Sequence, residues 1–463
     1  MKLISTNPAR DFAVVGEVEM STGKDVIAAV TAARAAQPAW AARSQAERNK
    51  AVSTFVAIAE AHLEDIARLE AEETGRPIAS ARGDVRSGLA DFAGYLEMAE
   101  DALKPEVTFE TETEIHRIYH EPRGVIAAIC PWNFIFSNVA WQCGQALLAG
   151  NAIVYKNSEE NPLFAKFLSR MIAQSELPVG IFGVVYGDGA VGEKLARSNV
   201  DMISFTGSLA VGKKLTMIAA EKFIPIITEL GGSSPCIVFA DAELDDAALA
   251  YIYARRFNHS GQFCTSVKRL IVHRSRFNEV VEKLAAILDT KKVGDSLDES
   301  TDHGPLVAER QVVRLEQQIQ DAIDRGATVI RGGKRPNGLK GAYYEPTILT
   351  GITREMKVWC EETFGPVLPV VPFDTELEAV ELANDTIYGL GAHVFTGDKA
   401  CFTRVARQLQ SGMVGENTVS YFDPRNPFGG YKQSGMGREN GAIGFHDVTQ
   451  IKLVSQSKSN NYT

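Results

Sequence analysis

The sequence predicts an α/β protein made of two α/β domains with parallel-rich sheets and a small separate β element. Three observations carry that expectation. Short apolar runs alternate with helical stretches between residues 124 and 230; a second alternation runs from 234 to 418; the segment 105–121 departs from both, alternating polar and apolar residues. Strands alternating with helices put helices on the faces of a parallel sheet.

The first hundred residues are alanine-rich and predict helix. In "AVSTFVAIAEAHLEDIARLEAEETGRP" the residues Val52, Phe55, Ala59, Leu63 and Ile66 recur at helical spacing. Gly75 and Pro77 end that helix, as a C-cap glycine and a following breaker do. "PEVTFETETEIHRIYHE" (105–121) predicts a hairpin that a compact core does not need, hence one available to another chain. The runs "GVIAAI" (124–129), "AIVY" (152–155), "FGVVY" (182–186), "MISF" (202–205) and "IPIITEL" (224–230) predict the strands of a first sheet. "PLFAKFLSRMIAQS" and "LAVGKKLTMIAA" predict helices between them. "SPCIVF" (234–239) opens the second alternation, which runs to "GMVGENT" (412–418). The closing "SQSKSNNYT" is polar and is expected to be mobile.

Composition excludes some functions. The 463 residues are 45% hydrophobic with a net charge of -10, which argues against nucleic-acid and anionic-membrane partners. Six cysteines lie far apart with no CxxC pair and no zinc-site spacing, so no metal is predicted. "MKLISTNPARDF" lacks the apolar region of a secretory signal, and no run of eighteen apolar residues exists. A cytoplasmic protein with reduced thiols is expected.

Five stretches hold chemistry-bearing residues. In "FNHSGQFCTS", Cys264 sits on a turn after Gly261, near Gln262, Thr265, Lys268 and Arg269, surroundings that favour a thiolate. A free loop cysteine is the plainer alternative. In "TELGGSSP", Glu229 ends a strand, where α/β proteins bind ligands; it is either a solvated glutamate or a general base. In "CPWNF", Asn133 is either a satisfied structural amide or an oxyanion donor. In "ISFTGSLAVGKKL", Gly207 and Gly212 open a helix after a strand, a place for a phosphate. In "VYKNSEENP", Lys156 and Glu159 follow another strand end.

With these placed, the chain resembles the NAD(P)-dependent aldehyde dehydrogenase superfamily over essentially its whole length. "PWNF", "YKNSE", "FTGS", "TELGGSSP", "GQFC", "EETFGPV" and "NPFGGYKQSGMGRE" occur in the order that family shows. The resemblance implies Cys264 as nucleophile, Glu229 as general base, and Asn133 as oxyanion donor with the Cys264 backbone N–H. It implies NAD, with NADP the lesser alternative, held by Lys156, Glu159, Gly207, Ser208, Gly231, Glu362, Phe364 and Trp132. It implies an NAD-binding domain over 1–103 and 122–230, a catalytic domain over 231–443, and an oligomerisation element over 104–121 and 444–463 of a homodimer or homotetramer.

Two positions depart from the family pattern. His259 stands where asparagine is usual, five residues before Cys264, and is expected to be a structural hydrogen-bonder or to tune the thiolate. Asn157 follows Lys156 where proline or a small residue is common, with little effect expected.

Relatives acting on succinic semialdehyde place arginine eight residues after the "PWNF" asparagine; this chain has Trp141 there. Phe134, Trp141, Phe422 and Phe428 match positions lining the aldehyde tunnel, so an uncharged aliphatic or aromatic aldehyde is expected. Arg425 keeps an acidic semialdehyde as the alternative. A CoA-acylating enzyme is disfavoured by Glu229, which serves hydrolysis. A cysteine hydrolase using His259 leaves "FTGS" and "EETFGPV" without a role.

Overall fold

A computed structural model describes residues 1–458 of the chain. Its first sheet runs in the order Gly435–Met436, Ile226–Glu229, Met202–Thr206, Val125–Ile129, Ala152–Lys156, Phe182–Val185. All pairs are parallel except Gly435–Met436 with Ile226–Glu229. The central strands Val125–Ile129 and Ala152–Lys156 are buried along their whole length and apolar but for Lys156 at the second one's end, because helices cover both faces. The chain leaves Val125–Ile129 in one direction and returns on its other side at Met202–Thr206, so a crevice opens at the carboxyl ends of these strands.

The second sheet runs Thr328–Arg331, Thr347–Thr350, Val367–Phe373, Val267–His273, Ser234–Val238, Gly391–Phe395, Met413–Glu416, parallel except for its first pair. Only four residues separate Glu229 at the carboxyl end of the first sheet from Ser234, which opens a strand of the second. The catalytic candidates meet at this junction.

The predicted hairpin is present as Glu106–Glu110 and Glu114–Pro122. A third strand, Thr449–Ser457, pairs antiparallel with Glu114–Pro122. Ser455, Gln456 and Ser457 are therefore ordered by a ladder partner distant in sequence, not mobile; residues 459–463 of the same stretch lie outside the described residues.

Two further expectations are corrected. The first hundred residues are not helical throughout: Lys2–Asn7 and Ala13–Glu19 form an antiparallel pair, turned at Asp11 and Phe12, both at positive φ. The long helix is two, Gln45–Ala61 and Leu63–Thr74, joined at His62. Both keep the predicted face: Val52, Phe55, Ala59 and Ile66 are buried. Gly75 adopts the left-handed C-cap conformation at φ 79°. No helix among the described residues is long and apolar enough to cross a membrane.

Candidate active site

The loop before Val267–His273 carries Cys264. Its approach is strained: His259, Ser260 and Gly261 take φ of 50°, 51° and 70° in succession, and only the last is a glycine. Buried hydrogen bonds over-determine the turn. Ser260 Oγ donates to Gly304 O at 2.7 Å, and Gln262 Oε1 accepts from the Val307 N–H at 3.0 Å. The fully buried Arg256 joins Ser266 to the carbonyls of Thr363 and Gly365.

The strand-end glycines bring the two sheets together. A Cβ on Gly232 would stand 2.6 Å from Cys264 O, and one on Gly231 would stand 2.2 Å from Glu362 Oε2. Bare backbone at both positions lets the Cys264 loop and the Glu362 carboxylate close over the strand end.

Burial holds the Cys264 thiol up at about 12, countered by the positive charge of Lys268; Glu229 and Glu362 push it further up. This corrects the expectation of surroundings that favour a thiolate. Lys268 does face the loop, but its ammonium is engaged with Glu362 at 2.5 Å. Arg269 faces the other way, because neighbours on a strand alternate sides. It is buried against the carbonyls of Ser233, Leu382, Ala383 and Asp385.

Glu229 is 2% exposed and neither carboxylate oxygen has a hydrogen-bond partner. Burial, then the neighbouring Glu439 carboxylate, holds its pKa well above the ordinary range, against a lowering by Arg438. It is not a solvated glutamate. Glu439 is itself buried and raised, first by burial and then by Asp91. The sequence reading did not single out Glu439, and it read Lys268 only as a positive charge near Cys264, not as the partner of Glu362.

Asn133 is buried, and its Nδ2 donates to Gln262 O at 3.0 Å, two residues before Cys264. His259 is buried between Trp132 and Phe134, ring centroids 6.2 and 6.1 Å away. Neither ring nitrogen makes a well-formed hydrogen bond, and the polar contact of the ring is with the Asn133 backbone. Burial, and then the Arg76 charge, hold the imidazole well below its ordinary range and thus uncharged.

The cofactor candidates lie along the crevice. Lys156 is buried at its strand end, 3.6 Å from the exposed Glu159. Asn157 beside it is buried and donates to Asn161. Gly207 N donates to Glu229 O at 3.0 Å, and Ser208 caps the helix Leu209–Lys222, leaving an N-terminus suited to phosphate at the crevice edge. Glu362 accepts from Gly232 N at 3.0 Å, and Phe364 packs edge-on to Trp132 at 5.9 Å. A buried lysine, a helix N-terminus and a carboxylate strung along one switch-point crevice fit a dinucleotide.

The four tunnel candidates form one contiguous aromatic run. Phe134 lies 5.7 Å from Trp141, Trp141 stacks on Phe428 at 6.3 Å, and Phe428 on Phe422 at 6.1 Å. Trp141 Nε1 donates to Asp91 at 2.7 Å. Arg425 does not join them: it is exposed and paired with Asp423. Arg255 does, with its guanidinium 4.8 Å from the Phe422 ring and 5.4 Å from Phe263.

Comparison with known proteins identifies the family. Residues 2–454 match the family described as "Aldehyde dehydrogenase family". Aminoaldehyde dehydrogenase 1, peroxisomal, of Pisum sativum is 37% identical, over 99% of this chain and 93% of that protein. Succinate-semialdehyde dehydrogenase (NADP+) of Escherichia coli is 35% identical, over 97% of this chain and 93% of that protein. The NAD+ complex of an aldehyde dehydrogenase from Bacillus cereus superposes with a TM-score of 0.95 at 33% identity, over 99% of this chain and 94% of that one. The chain belongs to the aldehyde dehydrogenase family, a family of oxidoreductases.

Proposed function

We propose that this protein oxidises an uncharged aliphatic or aromatic aldehyde to the carboxylic acid, with NAD, through an acyl group carried on Cys264. The substrate reading is carried by the unbroken aromatic run Phe134–Trp141–Phe428–Phe422. Such a lining repays an apolar aldehyde by area removed from water.

In this reading the Cys264 thiol releases its proton to solvent, and the sulfur adds to the aldehyde carbon while the carbonyl oxygen becomes an oxyanion. The Asn133 amide and the Cys264 backbone N–H stabilise that charge; removing one such donor typically costs about 10²–10³ in rate. NAD, when bound, supplies the acceptor for the hydride that converts the thiohemiacetal to a thioester. Glu229 then takes a proton from water, the water oxygen attacks the thioester, and the proton passes to the departing Cys264 sulfur, so that the acid and the thiol are released. A carboxylate with raised pKa is suited to this, since a base works best near the operating pH. The same residue supports water over CoA as acyl acceptor. Lys156, Glu159, Gly207, Ser208, Gly231, Glu362, Phe364 and Trp132 are assigned to the cofactor. Glu159 beside Lys156 favours a ribose hydroxyl over a phosphate, hence NAD over NADP.

The three-stranded sheet is assigned to oligomerisation, as dimer or tetramer. Ile451, Leu453, Val107 and Phe109 are exposed on it, more apolar surface than a lone chain needs there. Six free cysteines fit a cytoplasmic setting.

A second reading is favoured by Arg255. Its Nε is buried without a partner beside the aromatic run, and a guanidinium there would accept an anionic tail, as in a semialdehyde. NADH formation with NAD or NADP, over hexanal, benzaldehyde and a carboxylate-bearing semialdehyde, tests both. Apolar aldehydes are expected to lead in kcat/KM. Preference for the semialdehyde, abolished by Arg255→Met, would replace the first reading with the second. Equal efficiency with NADP would sink the cofactor assignment.

A further inference from the structure

At the root of the three-stranded sheet, far along the chain from Cys264, three ligating side chains converge. Glu106 lies on the first strand of the hairpin, His120 near the end of the second, and His446 on the helix Gly441–Asp447 that leads into the third. One ligand atom from each lies within 4.8 Å of the others. His120 Nε2 is 3.0 Å from Glu106 Oε1, and the two imidazoles stack at 4.1 Å with 3° between their planes.

The hydrogen-bond pattern around the two imidazoles leaves ligating atoms unused. His446 Nε2 is within 3.0 Å of Ala102 O, so it carries the proton and leaves the Nδ1 lone pair free. A ligating histidine typically donates its other N–H to a backbone carbonyl in this way. The His120 side chain is only 4% exposed, yet its Nδ1 has no partner among the described residues. Stacking explains neither feature. His120 also lines a groove of about 710 Å³ with Arg48, Glu100, Lys104, Tyr119 and Glu121, which gives an ion and its water a way in.

We propose that Glu106, His120 and His446 bind one divalent first-row transition ion, zinc foremost, which ties the base of the three-stranded sheet to the body of the subunit. Two imidazoles and one carboxylate suit zinc, cobalt or nickel and not magnesium or calcium. Ligands around zinc at bonding distance stand about 3.3 Å apart, so the cluster closes by a small movement. One imidazole must rotate out of the parallel stack for both lone pairs to converge. The ion would staple strands that are distant in sequence and raise the melting temperature as its concentration exceeds the dissociation constant.

The test is cobalt binding by the metal-depleted full chain carrying Cys264→Ser and Cys360→Ser, which removes the partly exposed nucleophile and the exposed thiol as competing ligands. One Co2+ per chain is expected, with visible d–d bands, no sulfur charge-transfer band, and displacement by Zn2+. His446→Ala should weaken binding at least tenfold. Glu106→Gln, at an exposed position that leaves folding alone, should weaken it likewise. No uptake at micromolar cobalt would overturn the proposal, as would uptake undiminished in both variants.

Discussion

The Lys268 ammonium sits 2.5 Å from a Glu362 carboxylate oxygen and 3.3 Å from the carbonyl oxygen of Cys264. One buried cation thus links the nucleophile's loop to the carboxylate assigned to the cofactor, and its charge is the chief influence lowering the Cys264 pKa. Lys268→Met should leave Glu362 with only the Gly232 N–H. A loss of about 3 kcal/mol in unfolding free energy is expected by denaturant titration. Iodoacetamide should also react with Cys264 about tenfold more slowly. An unchanged alkylation rate would mean that Lys268 does not act on the thiol.

Alkylation should itself depend steeply on pH. With the thiol held at about 12, the thiolate fraction rises about tenfold per pH unit between 7 and 9. A rate that levels off near pH 8 would show a thiolate stabilised beyond what these side chains provide.

Glu229 should cost stability for its chemistry. Its folded pKa lies above its unfolded value, so the folded state binds the extra proton, and stability falls as pH rises above the ordinary carboxylate range. Glu229→Gln removes that cost while keeping the shape. It should raise the melting temperature at pH 8, with the gain shrinking toward pH 5. The same variant should release one burst of NADH and then stall, because hydrolysis has lost its base. Steady turnover at the wild-type rate would remove Glu229 from that role.

Gly232→Ala tests the contact between the sheets. The new Cβ would meet Cys264 O at 2.6 Å, and the nucleophile's loop must move. A fall in kcat on the order of 100-fold is expected, with near-wild-type circular dichroism. A variant of normal kcat would mean that the loop tolerates displacement.

Much of this was legible in the sequence because it is local. Apolar runs of four to seven residues between helical stretches marked the first-sheet strands, and period two marked the 105–121 hairpin. Motif order pointed to Cys264, Glu229 and Asn133. Other features depend on partners far along the chain. The strand Thr449–Ser457 looked like a polar tail because its order comes from Glu114–Pro122. The N-terminal pair Lys2–Asn7 and Ala13–Glu19 was passed over because the residues that follow it are alanine-rich and helical.

The state of the site was decided by tertiary structure. Residue types around Cys264 promised positive charge, but strand alternation turned Arg269 away and Glu362 engaged Lys268. Glu229 looked no different from a surface glutamate until burial next to Glu439 left it unpaired. The sequence by itself determined the first-sheet strands, the 105–121 hairpin and which family's chemistry the chain carries, since these are written in short spacings. Charge, protonation and the meeting of Glu106, His120 and His446 came only with the fold, because desolvation and Coulomb energy depend on distances that no spacing encodes.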